Sequence, residues 1–399
     1  MIRHLFTLMW NRKRATGLLI LEIFLAFVVL FAVGSVGVYL QRNYQAPLGF
    51  AYDNVWQLDL DAGTQPRAEQ LITLQQVLQR LRGTAGVVSV AGSSGNTPFS
   101  NNNNNRTFRA KEGADKPKVG SDFYHVGPEL REVMGLRLVA GRWFDRRDEA
   151  TVAARRRPMV ITEMAQAQLF PGGASAVGKT IRDDDDDDYE VVGVADSYRA
   201  GGELSEPQPA AFAYVSPQDT ARALFTLLVR VRPGSGAALE KQLGDDIRAI
   251  NSVWMSSINT LSEQRLTKLK YTLVLPGILA IVCFFLLINV ALGLFGVLWL
   301  NINQRRGELG VRRAMGATAA AISWQVLGEI LVLTTFGLGL GLLVAVQFPL
   351  LGVFDVAPGV YFAAMLLAAA GLYALATICA LYPSRLAAGI HPAVALREE

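Results

Sequence analysis

The chain has 399 residues, 51% of them apolar and only 18% charged. Soluble domains average roughly 25% charged residues, so an ordinary water-soluble globule is excluded. The formal net charge of +4 is modest and gathers beside apolar stretches instead of along one stripe, which argues against a nucleic-acid partner. Two cysteines, Cys283 and Cys379, and three scattered histidines, His4, His125 and His391, point to no disulfide framework and no metal site.

Residues 1–16 carry Arg3, Arg12, Lys13 and Arg14. "GLLILEIFLAFVVLFAVGSVGVYL" follows over residues 17–40, broken only by Glu22. A helix needs about 20 apolar residues to cross the hydrocarbon, so this stretch is the first predicted span. It exceeds the ~7–15 residues of a signal-peptide core and reads as an anchor. Glu22 is a candidate functional carboxylate, because ionisable groups inside a membrane are costly. Its place near one end also fits snorkelling or pairing with an arginine.

Residues 41–270 read as one large α+β region. "NVWQLDLDA", "PRAEQLITLQQVLQRLRG" and "GVVSVAGS" give strand, helix, strand, and "LFTLLVRVRPG", "SGAALEKQLGDDIRAI" and "NSVWMSSINTL" repeat the plan. The two units, residues 45–95 and 217–262, predict a split βαβ layout of ferredoxin-like type. Between them, residues 96–216 hold the short strands "RTFRAK", "RLVAGRWF", "RPMVIT", "YEVVGVA" and "AAFAYVS", an inserted β-rich subdomain. Two runs inside it, asparagines at 101–105 and aspartates at 183–188, cannot bury apolar area and predict loops. The aspartates lack the spacing and the glycine of a calcium loop, so a solvated hairpin tip is expected.

The same region contains "GGASAVGKTI", in which Gly173 to Thr180 fits the phosphate-cradling pattern G-x-x-x-x-G-K-[ST]. A genuine P-loop leaves a buried strand and opens a helix. Here "EMAQAQLF" separates the motif from the strand "PMVIT", and six aspartates follow. The expectation is a glycine turn into a β-hairpin, with no catalytic residue and no cofactor bound by this chain.

Residues 271–300 form the second predicted span, with Pro276 as a candidate kink. Residues 301–321 are a short connection, 322–351 the third span, 352–358 a loop without Lys or Arg, 359–383 the fourth span, and 384–399 the tail. Positive charge stays in the cytoplasm, so both termini and residues 301–321 are expected inside and 41–270 outside, where ATP is absent. In the connection, Arg305, Arg306, Glu308, Arg312 and Arg313 are spaced over a helix, with Leu309 and Val311 among them. Gly316 permits a sharp turn into the third span. Glu329 repeats the situation of Glu22. Gly337 and Gly341 form a G-x-x-x-G pair suited to close helix contact, either within one chain or across a dimer.

"NQRRGELGVRRAMGATAAAISWQVLGEILVL" and the C-terminal "ALYPSRLAAGIHPAVALREE" closely resemble the MacB/FtsX-like permease family of ABC transporters. So do "ELREVMGLRLVAGRWF", "LFPGGASAVGKTI" and "YEVVGVADSYR", in matching order over nearly the whole chain. The resemblance implies a porter-like subdomain at 45–95 and 217–262 and a sabre-like insertion at 96–216. It implies a multi-pass protein of the bacterial cytoplasmic membrane that pairs with a second permease chain. A cytoplasmic ABC ATPase, which supplies ATP and Mg²⁺, and a periplasmic adaptor are the further partners expected. Macrolide exporters of the family carry their ATPase fused ahead of the first span; with only residues 1–16 there, a separate ATPase subunit is expected.

The resemblance assigns ATPase coupling to Arg305, Arg306, Glu308, Leu309, Arg312, Arg313 and Gly316. The implied function is export by mechanotransmission. The alternative is a membrane signalling subunit whose stroke activates an outside partner such as a cell-wall hydrolase. A self-contained nucleotide hydrolase using Lys179 is a third reading, which the flanks of the motif oppose. Peptides, hydrophobic drugs and lipid-linked proteins are all compatible cargoes.

Overall fold

The structure, a computed structural model, describes residues 13–111, 117–145, 147–149, 157–216 and 223–388. His4, His391 and the end of the C-terminal motif lie outside the described residues. The first elements are α1 (Lys13–Gln45), β1 (Val55–Asp61), α2 (Arg67–Gly83) and β2 (Val87–Ser93). The middle of the chain forms β3 (Asn105–Ala110), β4 (Val119–Val126), α3 (Leu130–Met134), β5 (Leu138–Gly141), β6 (Arg157–Thr162) and α4 (Glu163–Leu169). It continues through β7 (Thr180–Arg182), β8 (Asp188–Ala195) and β9 (Ala210–Tyr214) to β10 (Thr226–Val231), α5 (Ala237–Ile250) and β11 (Met255–Thr260). The remainder is helical: α6 (Leu261–Gln304), α7 (Arg306–Ala314), α8 (Ala319–Ala345), α9 (Gln347–Leu350) and α10 (Pro358–Ala388). The chain divides into a β-rich unit, residues 43–272, and a helical unit formed by the rest.

In the β-rich unit, β11, β1, β10 and β2 lie side by side and antiparallel throughout. Numbered along the chain these four strands stand in the order 4-1-3-2, the order of the split βαβ layout expected from the two repeats. The helices α2 and α5 bury Val77, Leu81, Leu243 and Ile247 with Leu58, Leu227 and Trp254 of the strand segments. Asp246 of α5 ties the helices together, accepting from Arg80 at 2.8 Å and from the Thr84 hydroxyl at 3.0 Å.

The middle strands do more than the sequence pattern announces. β4 pairs with β3, β3 with β7, β7 with β8, β8 with β6 and β6 with β9. β9 then returns to β4 in parallel register, Asp122 opposite Ala210, so six strands close into a barrel. One side of these strands packs Phe108, Phe123, Met159, Ile161, Tyr189 and Val191 into a single core. The alternate residues Tyr124, Val160 and Phe212 pack into another. Burial on both faces explains why "PMVIT" and "AAFAYVS" are apolar without alternation.

In the helical unit, α1, α6, α8 and α10 are each long and apolar enough to cross a membrane. The first, second and fourth expected spans lie within α1, α6 and α10, whereas the third, 322–351, begins in α8 and ends one residue beyond α9. α6 begins at Leu261, ten residues before the expected start at 271, and continues as one helix past Pro276. α10 likewise runs through Pro383 to Ala388. The unit's core joins Ile23 and Phe27 of α1 with Leu294, Ile330, Ala364, Ala368 and Leu372. Phe284, Phe285 and Leu366 stay more than 60% exposed, as an apolar exterior facing lipid requires.

Candidate functional site

The connection between the second and third spans is a short helix with a defined stop. α7 ends in a Schellman-type turn: Ala317 N–H donates to Arg312 O at 3.0 Å across Gly316, whose φ is +98°. A side chain at that φ is disfavoured, which accounts for the glycine. Thr318 then caps α8, its hydroxyl accepting from Ala321 N–H at 3.2 Å. Two capping residues only two positions apart, Gly316 and Thr318, leave α7 little freedom to swing on its C-terminal side.

Side chains hold it further. Arg305 donates to Glu329 of α8 at 3.2 and 3.3 Å, and Arg312 donates to Gln325 of α8 at 2.8 Å. Arg312 also donates to Glu308 at 2.6 Å, Glu308 lies 4.0 Å from Arg305, and Gln325 donates to Glu329 at 3.4 Å. These five residues make a closed polar ring that joins α7 to the start of the third span. Exposed single ion pairs are worth little, but a ring with bonds from several directions fixes geometry. Arg306 and Arg313 belong to α7, and their side chains lie outside the described residues.

Leu309, grouped by the resemblance with the coupling residues, is 5% exposed and packs in the core of the helical unit with Ile302, Ile322 and Val326. The face left open is instead Val311, 43% exposed, and Met315, 77% exposed. Trp324 of α8 is also exposed. Periodicity places Leu309 and Val311 on different faces of a helix but does not say which one faces inward. Gln325 and Met315 carried no signal beyond lying within reach of the arginines.

The two membrane carboxylates differ. Glu329 is engaged by Arg305, whereas no cation among the described residues lies within ion-pair distance of Glu22. Its carboxylate rests against α6 at Gly293, where a built Cβ would come within 2.7 Å of both oxygens. Gly337 and Gly341 face α1 of the same chain: a Cβ on Gly337 would lie 2.7 Å from Ile23 Cγ2, and one on Gly341 2.3 Å from Phe27 Cδ1. The G-x-x-x-G pair is thus occupied within the chain.

The P-loop match has no P-loop shape. Residues 171–179 form turns that feed β7, and no helix follows. Gly178 N–H donates to Val191 O at 2.8 Å and Lys179 N–H to Ala176 O at 3.0 Å, so these amides are not free to cradle a phosphate. The Lys179 ammonium sits 4.4 Å from the centre of the Phe170 ring.

The aspartate run is the hairpin tip between β7 and β8, but it is not simply solvated. Asp183 is 1% exposed and accepts from Arg106 at 2.5 Å and from the Asp185 and Asp187 amides at 3.0 and 2.9 Å. Arg109 meets Asp186 at 3.0 Å, Arg157 meets Asp187 at 2.6 Å, and Lys111 meets Asp188 at 2.6 Å. The Arg182 hydrogen bond, with Lys111 behind it, holds the Asp188 carboxyl down at about 2. No group of three or more metal-ligating side chains occurs among the described residues.

Comparison with known proteins agrees with this anatomy. Residues 16–246 match the family model for the MacB-like periplasmic core domain, and residues 280–392 that for the FtsX-like permease C-terminal region. The macrolide export ATP-binding/permease protein MacB 1/2 of Paracoccus denitrificans is 29% identical over 235 residues, 56% of this chain and 34% of the relative. MacB of Bordetella avium is 24% identical over 306 residues, 70% of this chain and 44% of the relative. The chain thus spans less than half the length of these curated relatives. Among solved structures, the periplasmic region of MacB from Actinobacillus actinomycetemcomitans aligns with a TM-score of 0.38 at 15% identity, covering 57% of this chain and 97% of that one. The extracellular domain of the transporter YknZ from Gram-positive bacteria aligns at 0.35 and 16%, covering 51% and 100%.

Proposed function

Because the chain belongs to the MacB/FtsX-like permease family, we propose that it is the membrane-spanning subunit of an ABC transporter and turns ATP hydrolysis by an ABC ATPase into movement of its outside domain. Residues 301–321 face the cytoplasm in this reading and 43–272 lie outside, following the arginine distribution. The membrane is the bacterial cytoplasmic membrane, and a second permease chain completes the assembly. A periplasmic adaptor would receive exported cargo.

One observation supports coupling above the others. α7 is keyed to α8 by Leu309 and by the Arg305–Glu329 and Arg312–Gln325 bonds, while Val311 and Met315 stay exposed. A helix held this way moves with the third span when its open face is pushed. An apolar face on a stiff support is also what a docking partner can grip, because little ordering entropy is lost there. ATP and Mg²⁺ belong to the partner in this reading, and the turn around Lys179 has no part in the chemistry.

The test is the paired substitution Val311→Asp and Met315→Asp. Both side chains are exposed, so membrane abundance should hold. Interface anchors commonly cost more than about 1 kcal/mol each when lost, so co-purification of the ATPase and coupled transport should fall several-fold. Undiminished co-purification and transport would show that α7 serves topology alone.

A further inference from the structure

A cavity of about 320 Å³ opens in the β-rich unit, and coupling makes no use of it. Its wall is built from the asparagine run, from Asp122 and Tyr124 of β4, and from residues 198–208. Small-molecule sites are usually ~300–1,000 Å³ and mostly apolar. This one has the size but a predominantly polar wall, so its ligand must bring hydrogen-bonding groups of its own.

The two cations that line the cavity are already engaged, and its carboxylates are those of Asp122 and Glu206. Arg199 donates to the carbonyls of Asn43, Ala46, Glu203 and Ser205 at 3.0, 2.7, 2.9 and 2.5 Å. Lys268 donates to Asn101 Oδ1 at 2.9 Å and to Ser100 O at 3.4 Å. The Tyr124 hydroxyl points to Asp122 Oδ2 at 3.5 Å, and the Tyr198 ring stands edge-on to Tyr124 at 5.1 Å. Burial raises the Asp122 carboxyl above the usual carboxylate range. By contrast, the side-chain amides of Asn103, Asn104 and Gln208 line the cavity without hydrogen bonds to other described residues.

We propose that this cavity binds a neutral carbohydrate, whose hydroxyls pair with the amides of Asn103, Asn104 and Gln208 beside Asp122. A sugar hydroxyl both donates and accepts, and so does a carboxamide, so each contact closes in either sense. An anion would find both lining cations already bonded to carbonyls and the carboxylates of Asp122 and Glu206 in the wall, and an apolar peptide side chain would find a wall that is mostly polar. The site's position on the asparagine run gives that low-complexity stretch a role that a disordered loop would not have.

The experiment titrates the full chain in lipid nanodiscs with maltotriose, which offers hydroxyls alone, and with N-acetylglucosamine trisaccharide, which adds acetamido groups, by calorimetry. Saturable binding of either sugar is expected, weakened about tenfold or more in Asn103→Ala/Gln208→Ala, a loss measurable directly as a ratio of Kd values. Both side chains are exposed, and an unchanged Tm of the variant confirms that folding is intact. Saturation by neither sugar, equal affinity of variant and parent, or preference for a neutral tripeptide over both sugars would overturn the proposal. The assay uses no ATPase or ATP, so its outcome is independent of coupling.

Discussion

A lone aspartate gains meaning from what the barrel brings beside it. Asp188 titrates at about 2 because the Arg182 hydrogen bond stabilises its charged form, well below the ~3.9 of an unfolded aspartate. A lowered folded pKa means stability present above the unfolded value and lost as pH falls through the folded one. The contribution is therefore complete above about pH 5 and disappears between about pH 4 and 2. Asp188→Asn should lower the Tm at pH 7 and flatten its decline over that acid window, followed by tryptophan fluorescence of the full chain. An unchanged acid profile would show that the pair is inert. Lys179→Ala should leave transport and partner ATPase activity within about twofold, since surface changes cost under ~0.5 kcal/mol. ATP hydrolysis by the purified chain, lost on this substitution, would revive the P-loop.

Elements show where pattern reading ends. The four spans and the two strand–helix–strand repeats were legible, because apolar length and alternation are local properties. The inward turn of Leu309 was not, since a helix with apolar residues on two faces is oriented only by its neighbours. The G-x-x-x-G pair was legible as a contact but not as a contact with α1. Its surroundings give a sharp contrast: Gly337 and Gly341 have Ile23 and Phe27 closer than 3 Å to a built Cβ, whereas Gly339 has nothing within 4 Å. Overpacking of a tight contact costs about 1–3 kcal/mol. Gly341→Leu should therefore reduce the membrane abundance and Tm of the chain, while Gly339→Leu should leave both near the parent. Equal tolerance at the two positions would remove the contact's importance.

At the scale of the whole molecule, orientation is the claim on which function depends. A reporter fused at Ser235 should be active only outside the cytoplasm, and one at Thr318 only inside, as the arginines of residues 305–313 require. The reverse pattern would return the turn at Lys179 to the compartment that holds ATP. Taken by itself, the sequence determined the number of spans, the split βαβ plan and the family, because each rests on residues close together in the chain. It also marked Gly173–Thr180 as a misplaced motif, since a P-loop's requirements are local. Only the tertiary structure decided that β9 returns to β4 and closes a barrel, that cations from three separate strand segments pair with the aspartate tip, and that Gln325 and Glu329 hold α7. Those contacts join residues far apart in sequence, and their partners are selected by packing and charge once the chain has folded, which no local pattern encodes.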